Sequence, residues 1–213
     1  MTAPLIKICG LSRLTDIDAA LTARATHIGL VFFAKSPRNV GIEQAASLAA
    51  HARGRAQVVG LFVDPTADFL HMVRASVDLD AIQLHGKETP AQAAQIRAAH
   101  GLELWKAIGV RRRNDLDAAQ HFVGAADRIL YDAKPPEGAD LPGGTGLRID
   151  WTLMQGVRHP LPWLLAGGLN PDNVAEAMRI TQAPGVDVSS GVESAPGVKD
   201  PARIAQFCRA ALG

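Results

Sequence analysis

The chain has 213 residues, 47% apolar and 20% charged, with 22 lysines and arginines against 21 aspartates and glutamates for a formal net charge of +1. That length is ample for a real core, and the intermixed charges exclude the basic face that nucleic acid requires. No apolar run approaches the roughly 20 residues that span a bilayer, and no basic-then-apolar leader opens the chain, so the expectation is a cytoplasmic protein with no membrane or nucleic-acid partner.

In chain order, short β-rich runs fall at Leu5–Cys9, His27–Phe32, Gln57–Val63, Ala81–His85, Glu103–Gly109, Arg128–Asp132, Pro162–Ala166 and Gly185–Ser189. Alanine-rich stretches with helical spacing lie between them, at Leu14–Arg24, Ile42–Ala52, Thr66–Ala75, Pro90–Ala99, Asn114–Phe122, Pro171–Ile180 and Pro201–Leu212, with a weaker one at Asp150–Gly156. Thr89-Pro90, Asn170-Pro171 and Asp200-Pro201 each place a capping residue before a proline suited to the first helical position. The strands lack polar alternation, as expected of a sheet covered on both faces. Eight strand–helix units without a composition break predict one compact (β/α)₈ barrel over residues 1–213. A doubly wound open sheet is the alternative.

Chemistry in such a barrel gathers where the strands end, and polar and glycine residues collect there: Cys9-Gly10, Arg38 in the second loop, Asp64, Gln83 and His85, Lys106, Asp132, Gly143-Gly-Thr-Gly146, Gly167-Gly168 and Ser189-Ser-Gly191. One glycine cluster reads as an ordinary turn. Three at one mouth favour a phosphate cradle of backbone N–H groups. A P-loop is excluded because Gly143–Gly146 lacks the lysine, and a dinucleotide fingerprint because these glycines do not follow the first strand.

The two cysteines, Cys9 and Cys208, have no metal or CxxC spacing, which suits free thiols in a reducing compartment. Cys208 lies on the apolar face of the last helix and packs there. The ends of the first and sixth strands face each other across a barrel mouth, so Cys9 and Asp132 suit a general base and a general acid. Spacing leaves the plainer alternatives open: Cys9 as a small packed hydrophobe and Asp132 as a loop cap. Lys7 is expected to point to the other side of the strand or to lie one layer lower, with no assigned influence on Cys9.

The segments "KICGL", "GLVFFAKSPR", "VVGLFVD", "IQLHG", "ILYDAK", "GGTG", "DW", "LAGGLNPDNV", "DVSSGVES" and "PGVKD" occur in this order. Together they closely resemble the phosphoribosylanthranilate isomerase family over nearly the whole chain. The resemblance implies a single-domain barrel of the ribulose-phosphate-binding type. It implies an Amadori rearrangement of N-(5-phosphoribosyl)anthranilate to 1-(2-carboxyphenylamino)-1-deoxyribulose 5-phosphate in tryptophan biosynthesis, with no cofactor and no metal. It puts the general base on Cys9 and the general acid on Asp132. Arg38 would face the anthranilate carboxylate. The phosphate of this small phosphosugar would rest on Gly144, Thr145, Gly146, Gly167, Gly168, Ser189, Ser190 and Gly191, with Gln83 and His85 supporting at the mouth. The family is compatible with a monomer or a homodimer. Tyr131, Ile149 and Asn39 depart from the family's usual residues, but none removes a reactive group. Two related phosphosugar barrels, indole-glycerol-phosphate synthase and a histidine-pathway isomerase, would want lysine with glutamates or paired aspartates instead. A regulatory barrel that binds phosphorylated ligands would not need Cys9 and Asp132.

Overall fold

The computed structural model describes residues 3–134, 143, 144 and 146–213. Eight parallel strands close a barrel in sequence order: β1 (Leu5–Cys9), β2 (His27–Phe32), β3 (Gln57–Phe62), β4 (Ala81–Leu84), β5 (Glu103–Val110), β6 (Arg128–Ala133), β7 (Trp163–Leu165) and β8 (Gly185–Val188), with β8 returning to pair with β1. Closure removes both sheet edges, which the open-sheet alternative would leave unpaired.

Side chains alternate along each strand. On β1, Ile6 and Ile8 enter the shell between strands and helices, while Cys9 packs with Val31 and Leu61 at the carboxyl-end mouth. The barrel floor is filled by Val59, Ala81, Trp105 and Leu164. Each Leu or Ile taken from water into this core contributes about 1.5–3 kcal/mol.

The outer helices are α1 (Leu14–Thr22), α2 (Ile42–Ala52), α3 (Ala67–Ser76), α4 (Pro90–His100), α5 (Val174–Thr181) and α6 (Pro201–Leu212). Two of the three cap–proline signals start helices as expected. Thr89 and Gln92 form a reciprocal capping box on α4, and the Asp200 carboxylate accepts from the N–H groups of Ala202 and Arg203 on α6. Asn170-Pro171 does not. The Asn170 side chain instead accepts from the N–H groups of Asp172 and Asn173, a local turn that delays α5 to Val174.

The stretch after β5 is a 3₁₀ helix, Arg113–Phe122, rather than the expected α-helix. Its buried residues Leu116, Ala119 and Phe122 recur every third position, which matches three residues per turn. The weak segment near Asp150 shrinks to one 3₁₀ turn, Trp151–Met154, capped by the Asp150 carboxylate. Beyond β8 the chain makes a feature that the sequence reading missed, a small antiparallel hairpin of β9 (Glu193–Ala195) and β10 (Val198–Lys199) turning at Pro196-Gly197. Among the described residues no helix is long and apolar enough to cross a membrane.

Candidate active site

One cleft of about 720 Å³ opens at the carboxyl ends of the strands, and its walls carry most of the residues singled out above. Cys9, Arg38, His85, Asp132, Gly144, Gly146, Gly167, Gly168, Ser189, Ser190 and Gly191 all line it. Gln83 is fully buried beneath His85 and does not reach the wall. Thr145 lies outside the described residues. Asp187, which the sequence places at the end of the eighth strand without a role, also faces the cleft.

Cys9 ends β1 and is 3% exposed. Its sulfur packs over Gly29 of the neighbouring strand, where an added Cβ would come within 2.7 Å of it. Burial pushes the Cys9 thiol up from its ordinary range, and Lys7 opposes that shift. Two residues earlier on the same strand, Lys7 sits wholly inside the barrel and donates to Asp187 Oδ1 at 2.7 Å. The sequence left two placements open for Lys7, and the second is the one found. A strand alternates with period two, so Lys7 shares a face with Cys9 and lies one layer lower. Burial alone would lower the Lys7 ammonium. The Asp187 carboxylate, then Cys9, outweigh it and hold the group above its usual range.

Asp132 lies on the other side of the cleft, on β6. Its Oδ1 accepts from the N–H of Ala133 at 2.7 Å, and its Oδ2 lies 3.2 Å from His85 Nε2. Gln83 Nε2 is 3.1 Å from His85 Nδ1 and donates to it. With Nδ1 accepting, the other ring nitrogen carries the proton and faces Asp132 Oδ2. Gly143 is pressed against this pair, since a Cβ there would come within 2.5 Å of Asp132 Oδ2 and 2.8 Å of His85 Nε2. Glycine is therefore required for the loop to approach so closely.

Arg38, 6% exposed, is held as a fork: Nε and Nη2 donate to Glu193 Oε1 and Oε2 at 2.7 and 2.9 Å, and Nη2 also reaches the Gly144 carbonyl at 3.3 Å. Lys199 Nζ donates to the same Glu193 Oε1 at 2.7 Å and to the Ser189 carbonyl at 2.9 Å, while Ser189 Oγ donates to the Cys9 carbonyl at 3.1 Å. Burial would raise the Glu193 carboxyl, but the hydrogen bonds from Arg38 and Lys199 hold it below its ordinary range. Glu193 and Lys199 both come from the β9–β10 hairpin. Their signal was present in the "VESAPGVK" segment as a Pro-Gly turn between two buried charges, but nothing in the spacing said what they would touch.

The glycines after β7 adopt left-handed backbone, φ +80° at Gly167 and +65° at Gly168, so this turn can direct N–H groups into the cleft. Ser190 and Gly191 begin a 3₁₀ turn beside it. This corner, lined by main chain and small residues, suits an anion.

Lys106 is not part of the cleft wall. It donates to Glu88 Oε2 and to the Gly86 carbonyl, both at 2.8 Å, and clamps the turn after β4. A lysine so engaged does not supply the catalytic ammonium that the indole-glycerol-phosphate synthase alternative wants. Among the described residues no group of three or more His, Cys, Asp or Glu side chains is placed to hold a metal ion.

A family model described as N-(5'-phosphoribosyl)anthranilate isomerase matches residues 6–210. The chain is 54% identical over 210 residues to the N-(5'-phosphoribosyl)anthranilate isomerase of Rhodospirillum centenum, covering 97% of this chain and 98% of that one. It is similar to the crystal structure of phosphoribosylanthranilate isomerase from Thermotoga maritima, with TM-score 0.85, 33% identity and 98% of each chain covered. A second structure of such an isomerase, holding reduced 1-(o-carboxyphenylamino)-1-deoxyribulose 5-phosphate, aligns with TM-score 0.82 at 31% identity over 98% of each chain.

Proposed function

Because this chain belongs to the N-(5'-phosphoribosyl)anthranilate isomerase family, we propose that Cys9 is the general base and Asp132 the general acid of its reaction. The enzyme converts N-(5-phosphoribosyl)anthranilate to 1-(2-carboxyphenylamino)-1-deoxyribulose 5-phosphate, an aldose–ketose isomerisation of tryptophan biosynthesis. One observation carries the division of labour: a sulfur on β1 and a carboxyl on β6 face one cleft from different walls.

The steps balance without any carrier. Asp132 gives its proton to the furanose ring oxygen. The C1–O bond breaks, and the nitrogen lone pair moves in to form a protonated Schiff base at C1. The Cys9 thiolate removes the proton from C2, and the released pair becomes the C1–C2 double bond while the C1–N π electrons return to nitrogen. The enolamine then loses its hydroxyl proton and gains one at C1, leaving the ketone at C2. The imine is the electron sink, which is why general acid–base chemistry suffices.

In this reading Arg38 meets the anthranilate carboxylate with the guanidinium edge that Glu193 does not occupy. The phosphate rests on the main chain at Gly144, Gly146, Gly167, Gly168, Ser190 and Gly191, with Ser189 beside it. His85 orients Asp132, and Gln83 orients His85. A reducing compartment such as the cytoplasm suits a mechanism that needs Cys9 as a free thiol.

The test is Cys9→Ala assayed for both turnover and ligand binding. Turnover falls at least about a hundredfold, as expected when a general base is removed, while the reduced product analogue binds as tightly as before. Undiminished turnover would remove Cys9 from the mechanism.

A further inference from the structure

Lys7 is among the largest fully buried side chains of the molecule, and the steps above give it no task. A lysine is almost never fully buried unless it is paired. What it does have is position. Its strand register sets Lys7 opposite Asp187 of β8, and the 2.7 Å contact holds the ammonium inside the barrel. One layer above, on the same strand and face, stands Cys9. Asp187 itself reaches the cleft that Cys9 lines.

The charges around the sulfur have a direction. From β1 comes Lys7, from β8 Asp187, from the hairpin Lys199 and Glu193, and from the loop after β2 Arg38. These are three cations against two carboxylates, and both carboxylates are already engaged by the cations. The wall behind Cys9 therefore carries one positive charge in excess. Asp132 and His85 face the sulfur from the other walls and are paired with each other at 3.2 Å. Desolvation disfavours a thiolate at so buried a position, and it is the largest influence on Cys9; Lys7 is the largest that opposes it.

We propose that Lys7 is a positioning residue of this active site: anchored by Asp187, it presents its ammonium to the Cys9 sulfur from the layer below and stabilises the thiolate that removes the substrate proton. The inference rests on Cys9 as the base. Lys7 favours the anion, and Asp187 both anchors Lys7 and keeps it charged. A purely structural ion pair would leave the titration of Cys9 unmoved when both partners are replaced at similar volume, and an electrostatic one would not.

The experiment measures the rate of Cys9 alkylation by iodoacetamide against pH, resolved by peptide so that Cys208 does not contribute. In Lys7→Met the midpoint moves up by about one to three units, the range for an opposite charge a few ångströms away, and turnover lost at neutral pH is partly regained at alkaline pH. A midpoint in Lys7→Met that is unchanged or lower overturns the proposal. Should Lys7→Met not fold, because it strands a buried carboxylate, the double variant Lys7→Met/Asp187→Asn removes both charges at similar volume. It is expected above wild type by a smaller shift, and a midpoint at or below wild type overturns the proposal. Failure of the base assignment is distinguishable, since it is read from the turnover of Cys9→Ala and not from alkylation.

Discussion

His85 Nε2 lies 3.2 Å from Asp132 Oδ2, and the imidazole is itself held from behind by the wholly buried amide of Gln83. The proton donor proposed above must meet a ring oxygen from one direction, and such a brace would keep its carboxyl in the geometry on which proton transfer depends.

His85→Ala is accordingly expected to lower kcat about tenfold with little change in KM, and Asp132→Asn to lower it at least about a hundredfold. Steady-state kinetics of the two variants check this. A His85→Ala enzyme with wild-type kcat would show the brace to be idle.

Arg38 makes a different prediction, because the role proposed for it is recognition. Arg38→Ala raises KM about tenfold to a hundredfold, the worth of a charge-assisted hydrogen bond, and leaves kcat within a few-fold. Glu193 retains Lys199 at 2.7 Å and the Gly197 N–H at 3.2 Å, so the hairpin keeps its anchor. An unaltered KM would detach Arg38 from the substrate carboxylate.

The Lys106–Glu88 pair is a stability prediction. Both side chains are buried, and Glu88 also accepts from the N–H groups of Asp64 and Gly86. Lys106→Met leaves that carboxylate without its cation and is expected to cost about 3–5 kcal/mol in urea unfolding. Adding Glu88→Gln should restore most of the loss. A Lys106→Met cost below about 1 kcal/mol would contradict the clamp.

His27 predicts an acid limb. Burial first, then the positive charges of Lys7 and Arg128, lower its imidazole to about 4, and its ring lies 5.4 Å from that of Trp105. The folded state therefore holds this proton less tightly than the unfolded chain. The stabilisation is fully present above pH 6.5 and is lost as pH falls toward 4, since the unfolded histidine charges first. Replacing it by His27→Gln should flatten the stability profile across that window by on the order of 2 kcal/mol, discounted for its partial exposure. Parallel profiles for the two proteins would rule the histidine out as the source.

The architecture was readable because it repeats. Eight apolar runs separated by alanine-rich stretches favour a closed parallel barrel over a doubly wound sheet, and β1, β2, α2 and α6 fall where their periodicity says. Boundaries slipped where side chains competed with the main chain, as Asn170 does before α5, or where the buried spacing was three, as in Leu116, Ala119 and Phe122. Cys9 and Asp132 stood out as candidates from their places at strand ends, and the roles proposed for them came from the family resemblance. The company they keep could not be read from the sequence.

The linear order of residues thus determined the strand–helix alternation, the barrel that buries it, and which side chains stand at its mouth, because those follow from local periodicity and from strand ends. Closure of the barrel decided the rest. It set Lys7 against Asp187 across 180 positions and Arg38 against Glu193 across 155, and it set His85 beside Asp132. Such contacts depend on register and shear between strands distant in the chain, and the pattern along any one strand does not contain them.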